Sequence, residues 1–241
     1  MATAPAADIL EVAAALNELY PEARTELDHR NAFELLVATV LSAQTTDQRV
    51  NSLTPELFRR FPDARSLGEA EESDLAELLR PLGMGPTRAR RIIALGQELQ
   101  ERHEGVVPDQ QEQLEALSGV GRKTALVVRG TWFGHDALAV DTHVARLAGR
   151  LGWSRASNPR TVEDDVLRRR DRAAAAWRRE RAHDATDSEA KDPDARPACL
   201  GATVLSLRLI LHGRRVCTAR SPHCDECSLA ALCPRRGVKA A

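Results

Sequence analysis

The sequence is poor in aromatic residues and in lysine. Only eight of its 241 residues are Phe, Trp or Tyr, and only three of its 34 basic residues are lysine. No unbroken apolar stretch approaches the length of a membrane-spanning helix, so no segment is expected to span a membrane. Runs of β-branched residues are short as well, whereas alanine and leucine are abundant. Because this composition favours helix over strand, we predict an all-α fold.

The N-terminus lacks the features of a secretion signal. Between Met1 and Tyr20 no basic segment precedes an apolar one, and Asp8 and Glu11 interrupt the apolar pattern. Five cysteines, four of them clustered near the C-terminus, are also unlike a disulfide framework in a chain of this length. We therefore expect a cytoplasmic protein.

The formal net charge of −1 points to no class of partner, but the charge is uneven along the chain. Residues 200–241 contain seven basic and two acidic side chains. A basic C-terminal surface is compatible with nucleic acid, although many charge clusters are only solvated faces.

Helical periodicity recurs along the chain, with turn residues between the segments. Helices are predicted at Leu10–Leu19, Ala32–Leu41, Asp47–Phe58 with an interruption at Pro55, Asp74–Leu79 and Thr87–Arg102. Residues 182–197 are polar, alternately charged and bounded by proline, which is typical of an exposed loop or linker.

The chain contains two similar G-x-G turns, which form an internal repeat. Gly83-Met84-Gly85 is followed by Ala89, and Gly119-Val120-Gly121 is followed by Ala125. Each pair of glycines is typical of a turn between two helices, where glycine permits positive φ and lets the backbone approach a ligand. Two ordinary helix–turn–helix corners are the alternative.

Four cysteines have the spacing of a metal site. Cys217, Cys224, Cys227 and Cys233 follow the pattern C-x6-C-x2-C-x5-C, whereas Cys199 lies outside it. Four thiolates from one short segment favour a soft metal, either zinc or an iron–sulfur cluster. The paired C-x2-C knuckles of common zinc modules are missing, which favours the cluster.

The second G-x-G turn carries a candidate nucleophile. Backbone N–H groups at the start of the helix that follows it, together with the helix dipole, form a phosphate site that holds nucleic acid without reading its sequence. Lys123 lies on the first turn of that helix. In a chain with so few lysines, this position suggests that a primary amine is required, because a lysine amine can form a Schiff base and arginine cannot. A simple phosphate contact is the alternative.

Asp141 is a candidate partner for that amine. It follows the apolar residues Leu138-Ala139-Val140 and precedes a helical segment, so an N-cap is its simplest interpretation. A nucleophilic lysine also needs a nearby carboxylate to accept its proton and to stabilise a developing cation.

Four separated motifs resemble the endonuclease III family of DNA repair glycosylases. They are similar, in chain order, to the family's base-opposite segment, helix–hairpin–helix, catalytic aspartate loop and approach to the cysteine cluster: Leu41–Asp47, Leu117–Ala125, Ala139–His143 and Leu209–Arg214. The resemblance covers the chain from about Asp28 to Pro234, apart from residues 168–197. It is specific, since all four motifs occur in the family's order.

The resemblance implies an architecture of two helical lobes that flank a DNA-binding cleft. Residues 25–135 would form a six-helix bundle that contains the helix–hairpin–helix. Residues 1–24 and 136–241 would form a discontinuous helical lobe with a [4Fe–4S] cluster loop at 217–233. Residues 168–197 would be an insert or flexible loop, and their first part, 168–181, a surface helix or a DNA-facing one.

The resemblance also implies a function in base excision repair. The protein would be a bifunctional DNA glycosylase and AP lyase that binds duplex DNA with damaged bases or abasic sites as a monomer in the bacterial nucleoid. Lys123 and Asp141 would be catalytic, with the four cysteines as ligands of the cluster. The remaining implied DNA-binding residues are Gln44 (filling the hole left by the extruded base), Met84 (an apolar wedge), Gly119, Val120, Gly121, Arg122, Thr124, His143 and Arg214.

Two departures from the family pattern, and two rival functions, stay open at this point. Ser118 stands where the family often has proline, so a looser hairpin is expected, and Gly85-Pro86 replaces a more polar pair beside the wedge. A monofunctional relative resembling adenine glycosylase would share the fold and the cluster. A DNA-binding paralogue would keep the hairpin and the cluster but have little turnover. For Met84 core filling, and for Gln44 a polar helix end, are the simpler interpretations.

Overall fold

The computed structural model describes residues 4–181 and 196–238, in which the regular secondary structure is helical. No strand occurs within them, so the prediction of an all-α fold is confirmed. Twelve α-helices follow one another in these residues: α1 Ile9–Leu19, α2 Ala32–Leu41, α3 Asp47–Asn51, α4 Thr54–Arg60, α5 Ala64–Gly68, α6 Glu72–Leu79, α7 Gly85–His103, α8 Gln111–Glu115, α9 Arg122–Thr131, α10 Thr142–Arg150, α11 Pro159–Arg181 and α12 Ala202–Arg215.

The chain divides into two compact units. Thr25–Ala137 forms one, called here the bundle unit, and Met1–Arg24 with Leu138–Ala241 forms the other, called the split unit. The bundle unit, all of which the structure describes, contains the eight helices α2–α9 and a 3₁₀ turn at Arg80–Leu82. The expectation of six helices was therefore too low, because short helices such as α3 and α5 begin at local N-caps on Thr46 and Asp63 and are too brief to show a period.

Helix α2 forms the centre of the bundle unit. Nine of its ten residues are buried, and Asn31 caps its first turn by accepting a hydrogen bond from the N–H of Glu34. Helices α5 and α7 approach at backbone distance, since a Cβ on Gly96 would lie 2.7 Å from both the carbonyl oxygen of Ala64 and the nitrogen of Gly68. Only glycine permits this crossing, which holds α7 and its N-terminal turn against the core.

The split unit is held together by contacts between its two chain segments. Helix α10 buries an apolar stripe at helical spacing, formed by Val144, Leu147 and Ala148. The N–H of Ala7 donates to the carbonyl of Leu151 and the indole Nε1 of Trp153 donates to the carbonyl of Ala7, each at 2.9 Å. These bonds attach the N-terminal segment to α10 and so fix the start of α1.

Helix α11 contains part of the predicted insert. Residues 168–181 form its C-terminal part, so the prediction of a helix for them is confirmed and the flexible-loop alternative is wrong there. The helix continues because this stretch is rich in alanine and arginine, two good helix formers. Residues 182–195, where an exposed loop was predicted, lie outside the described residues.

Candidate active site

The second G-x-G turn connects α8 to α9 in the bundle unit. Gly119 has a φ of +80°, and Gly121 is the N-cap of α9 in an extended conformation. Gly121 has no side chain that could accept a hydrogen bond from the first turn of α9, so this helix has no side-chain N-cap. The start of α9 therefore presents backbone donors and the positive end of a helix dipole, the combination that binds phosphate.

One residue of the turn departs from the prediction. The side chain of Val120 is buried in the core of the bundle unit, and its N–H donates to the carbonyl of Leu117 at 3.0 Å. Both groups are thus engaged within the protein. Val120 therefore packs the turn against the core, and its contact with DNA stays a prediction.

The hairpin is anchored by a carboxylate from α7. Glu98 accepts a hydrogen bond from the N–H of Ser118 at 2.6 Å and another from its hydroxyl at 2.8 Å. A proline at position 118 would have no N–H for Glu98. The expectation that Ser118 loosens the hairpin is therefore wrong, because a bidentate carboxylate replaces the rigidity that proline would supply.

Removal of that carboxylate should destabilise the hairpin. In Glu98→Ala both bonds are lost and the N–H of Ser118 has no acceptor, so we expect the free energy of unfolding to fall by about 1–3 kcal/mol. Urea unfolding measures it. Ser118→Ala is the matched control, since it removes only the hydroxyl bond and should cost about 1 kcal/mol or less. Equal losses in the two variants would contradict the anchor.

Lys123 lies on the exposed first turn of α9, directly after the hairpin. Its neighbours differ in environment: Arg122 forms an ion pair with Glu115 at 3.6 Å, and Thr124 is half-buried. The amine of Lys123 therefore lies on a helix turn that has no side-chain N-cap, next to a second cation, Arg122. None of these described contacts gives Lys123 a structural role.

Asp141 begins α10 in the split unit. The three residues before it are buried, and the hydroxyl of Ser206 donates to the carbonyl of Ala139 at 2.7 Å. Oδ1 of Asp141 accepts from the N–H groups of His143 and Val144, both at 2.8 Å, so the carboxylate is an N-cap as its position predicted. Neither bond uses Oδ2, and the N-cap role is therefore compatible with a chemical one.

His143 belongs to a hydrogen-bonded network that connects α10 to α12. Nη2 of Arg146 lies 3.0 Å from Nδ1 of His143 and donates to the carbonyl of Gly213 at 2.8 Å, while its Nε donates to the carbonyl of Cys217 at 3.0 Å. A Cβ on Gly213 would lie 2.8 Å from Cβ of His143, so the two helices need glycine there. The network links the aspartate loop to the first cysteine.

The four clustered cysteines line one cavity in the split unit. In the residues that the structure describes, no three His, Cys, Asp or Glu side chains converge closely enough to ligate a single ion. Four thiols that line one cavity can supply all the protein ligands of an iron–sulfur cluster. Burial raises the pKa of the Cys227 and Cys233 thiols, so binding of metal as thiolate is coupled to the release of protons.

Arg150 organises the segment that carries these cysteines. Its buried guanidinium donates to the carbonyls of Thr218 and Ala219 at 2.7 and 2.9 Å and to Sγ of Cys217 at 3.0 Å. The imidazole of His212 lies 3.4 Å from Sγ of Cys227, and burial lowers the pKa of His212 to about 4, so that it is neutral at pH 7. A cation therefore faces one sulfur and a neutral ring faces another.

Arg214 lies exposed on the last turn of α12, ahead of the first cysteine. Its neighbour Arg215 stacks over the ring of Tyr20 at 5.6 Å. Arginines at a helix C-terminus interact favourably with the helix dipole.

Gln44 and Met84 occupy two exposed turns of the bundle unit. Both have left-handed backbone, with φ of 60° and 54°, a conformation that costs a non-glycine residue about 1–2 kcal/mol. Met84 is 56% exposed, so the core-filling alternative is wrong. Gln44 lies in the loop between α2 and α3 and ends neither helix.

The glycine–proline pair after Met84 has a structural reason. A Cβ on Gly85 would lie 2.5 Å from the carbonyl oxygen of Ala76, so this turn packs directly on α6. Pro86 is the second residue of α7, in the first turn, where its missing N–H costs nothing.

Sequence reasoning missed the arginines of the site. Arg88, Arg146 and Arg150 are each satisfied mainly by backbone carbonyls distant in sequence. The only sequence signal was a basic residue on the buried face of a helix, as Arg150 is on the face of Leu147 and Leu151.

Comparison with known proteins decides the family. Residues 37–169 match the family model described as HhH-GPD superfamily base excision DNA repair protein, and residues 217–233 match that of the iron–sulfur binding domain of endonuclease III. The chain is 39% identical to endonuclease III of Synechocystis sp. over 93% of its length and 90% of that protein. It is 40% identical to endonuclease III of Treponema pallidum over 92% and 93%, respectively.

The chain belongs to the endonuclease III family.

The fold of this endonuclease III family member agrees with that assignment. A solved structure described as a trapped endonuclease III–DNA covalent intermediate, an estranged-adenine complex, superposes with a TM-score of 0.78 at 34% identity and covers 93% of each chain. The predictions of the family, of a DNA glycosylase and of an iron–sulfur binding segment are confirmed. In the described ranges no helix is long and apolar enough to cross a membrane.

Proposed function

We propose that this protein is a bifunctional DNA glycosylase and AP lyase that removes oxidised pyrimidines from duplex DNA. The observation that carries the proposal is Lys123, an exposed primary amine on the first turn of a helix whose backbone donors have no side-chain cap. The trapped covalent complex of a 34% identical endonuclease III supports the same chemistry. A nucleophilic amine is what separates this reaction from hydrolysis by water alone.

The reaction follows from the chemistry of an amine. The neutral Nζ of Lys123 forms a bond to C1′ of the damaged nucleotide while the bond from C1′ to the base nitrogen breaks. The base leaves with that electron pair and is protonated. Opening of the sugar ring gives an imine, loss of a C2′ proton expels the 3′ phosphate by β-elimination, and water hydrolyses the imine to regenerate the amine. The strand is cut on the 3′ side of the lesion.

The carboxylate of Asp141 would accept a proton from the Lys123 ammonium, which gives the neutral amine that attacks, and would stabilise positive charge on the sugar. Its Oδ1 is held by two backbone N–H groups, which fixes the orientation of the carboxylate and leaves Oδ2 outside those bonds. A rigidly held base is the usual requirement for general acid–base catalysis.

Binding of DNA would rest on backbone contacts. The hairpin residues Gly119 and Gly121 and the start of α9, with Arg122 and Thr124, would hold phosphates without reading the sequence. His143 and Arg214 would add contacts from the split unit. The exposed side chains of Gln44 and Met84 would enter the base stack, with Gln44 filling the hole and Met84 acting as a wedge while the target nucleotide is extruded.

The cluster would be of the [4Fe–4S] type, with Cys217, Cys224, Cys227 and Cys233 as its ligands. Four thiolates around one cavity match its ligand set, and the cluster would supply a fixed point for folding the C-terminal segment. Arg150 and Arg146 would hold the backbone of that segment, so that Arg214 keeps its place. Ligation requires reduced thiols, which fits the reducing bacterial cytoplasm. The protein would act there as a monomer on chromosomal DNA.

The test is a substrate panel. Duplexes that contain thymine glycol, dihydrouracil, an abasic site or no lesion are incubated with the protein, with and without borohydride. We expect excision and cleavage of the pyrimidine lesions and a covalent adduct only when borohydride is present. Excision without an adduct would instead indicate a monofunctional glycosylase, and binding to abasic DNA without cleavage a paralogue with little turnover.

The substitution Asp141→Asn distinguishes the N-cap role of Asp141 from its catalytic role. Asn caps a helix about as well as Asp, so Asp141→Asn should change the free energy of unfolding by less than about 1 kcal/mol. Loss of the carboxylate should lower base excision by roughly 10²–10⁴-fold. Single-turnover excision and urea unfolding are measured on the same preparation. A fully active variant would show that Asp141 is only an N-cap.

A further inference from the structure

Arg88 is a buried cation that no acidic side chain neutralises. It lies on the first turn of α7 and is 4% exposed. No carboxylate pairs with it among the residues that the structure describes. Its guanidinium instead donates only to backbone carbonyls: to Leu41 and Ala43 at 2.7 Å, to Gly83 at 2.9 Å and, more weakly, to Leu82 at 3.5 Å.

These carbonyls belong to two different turns. Leu41 and Ala43 precede Gln44 in the loop after α2, and Leu82 and Gly83 precede Met84 at the start of α7. Gln44 and Met84 are two of four non-glycine residues with positive φ in the described ranges, and both are exposed. A strained conformation persists only where its surroundings hold it, and one planar guanidinium holds both turns.

We propose that Arg88 is a positioning residue that fixes Gln44 and Met84 as one rigid pair ready to enter the base stack. The inference rests on the proposed function, in which these two side chains act while the damaged nucleotide is extruded. Without the shared guanidinium each turn is free to leave its left-handed conformation independently. The side chains must then be ordered during extrusion, which slows that step and leaves the chemistry at C1′ unchanged.

The geometry explains why arginine is needed at this position. Three nitrogens of the planar fork donate in different directions within one plane, so a single side chain reaches both turns. A lysine ammonium keeps the charge but cannot span the same carbonyls at once. Arg88→Lys therefore separates the fork from the charge, and Arg88→Met retains a flexible side chain of similar length without any donor.

The experiment compares these variants in the full-length, cluster-loaded protein on two substrates. Excision of thymine glycol from a duplex requires extrusion, whereas cleavage of an abasic site in single-stranded DNA does not. We expect Arg88→Lys to lower the single-turnover rate on the duplex by about 10–100-fold, with Arg88→Met at least as impaired, and to leave the single-strand rate within about 3-fold. The matched control is Arg90→Lys, an exposed arginine on the same helix paired with Glu72, which should leave both rates unchanged.

A double-variant cycle tests whether Arg88 acts through the two turns. In a background of Gln44→Ala with Met84→Ala, addition of Arg88→Lys should lower the duplex rate by less than about 3-fold. Fluorescence of 2-aminopurine next to the lesion reports unstacking directly, and its rise on binding should be slower in Arg88→Lys than in the unaltered protein.

The outcomes distinguish the two proposals. If the unaltered protein cleaves neither substrate, the proposed function fails. If it cleaves both and Arg88→Lys retains full duplex activity, or loses the two activities by the same factor as its folded fraction, the positioning role is overturned. Additive losses in the double-variant cycle would overturn it as well.

Discussion

Replacing Lys123 with arginine is expected to abolish the covalent adduct that borohydride traps and to lower strand cleavage at abasic sites by at least about 10³-fold. Arginine keeps the positive charge on the first turn of α9 but has no amine able to form an imine. Binding to an abasic duplex should change little, because the hairpin donors and the charge are retained. Adduct formation on denaturing gels and binding by anisotropy are the two measurements.

The matched comparison is with Lys123→Gln, which removes both the amine and the charge. Its adduct should also be absent, but its affinity for DNA should fall modestly and depend less steeply on salt, as expected for the loss of one phosphate contact. If Lys123→Arg still forms the adduct, the nucleophile is another residue. If it loses binding and cleavage in parallel, Lys123 is a phosphate contact and nothing more.

Replacing Cys227 with serine should remove the cluster and with it the order of the C-terminal segment. Leu229, 2% exposed, belongs to the core of the split unit, and Cys227 and Cys233 pack against that core. Exposure of these three side chains to water should lower the free energy of unfolding by about 3 kcal/mol or more. In a protein of this size, that loss lowers Tm by roughly 6–12 °C. The visible absorption and the iron content of the purified protein should disappear together.

Cys199 supplies the control for that variant. It lies in a 3₁₀ turn of the split unit outside the cysteine spacing, and burial raises the pKa of its thiol, so it is a protonated packing residue at pH 7. Cys199→Ser should therefore retain full absorption and iron. Loss of iron in Cys199→Ser, or its retention in Cys227→Ser, would contradict the ligand set.

Several elements were predictable because their cause is local. Helix α2 begins and ends where the sequence predicts, since Asn31 supplies an N-cap and an unbroken apolar run follows. Helix α1 differs from its prediction by a single residue and ends before Pro21. The cysteine spacing likewise identified its segment, because the ligands of such a site lie close together along the chain.

Other features were not predictable because their partners are distant in sequence. Ser118 alone suggested a loose hairpin, and only the fold brings Glu98, on a different helix, to its N–H and hydroxyl. Val120 matched the hairpin pattern, yet its burial depends on how α8 and α9 pack into the bundle unit. Hydrophobic periodicity in the sequence could not reveal helices as short as α3 and α5.

The sequence by itself determined the helical class, the two G-x-G turns, the candidate amine and carboxylate, and the four candidate metal ligands, because each depends on residue chemistry at short spacing. Tertiary structure alone decided which carbonyls surround Arg88, Arg146 and Arg150, and hence which turns those arginines hold. Because every residue type has a backbone carbonyl, the residue types of the partners do not reveal that these guanidinium groups bind them. Only the folded chain, which brings those oxygens within hydrogen-bonding distance, reveals what these three side chains do.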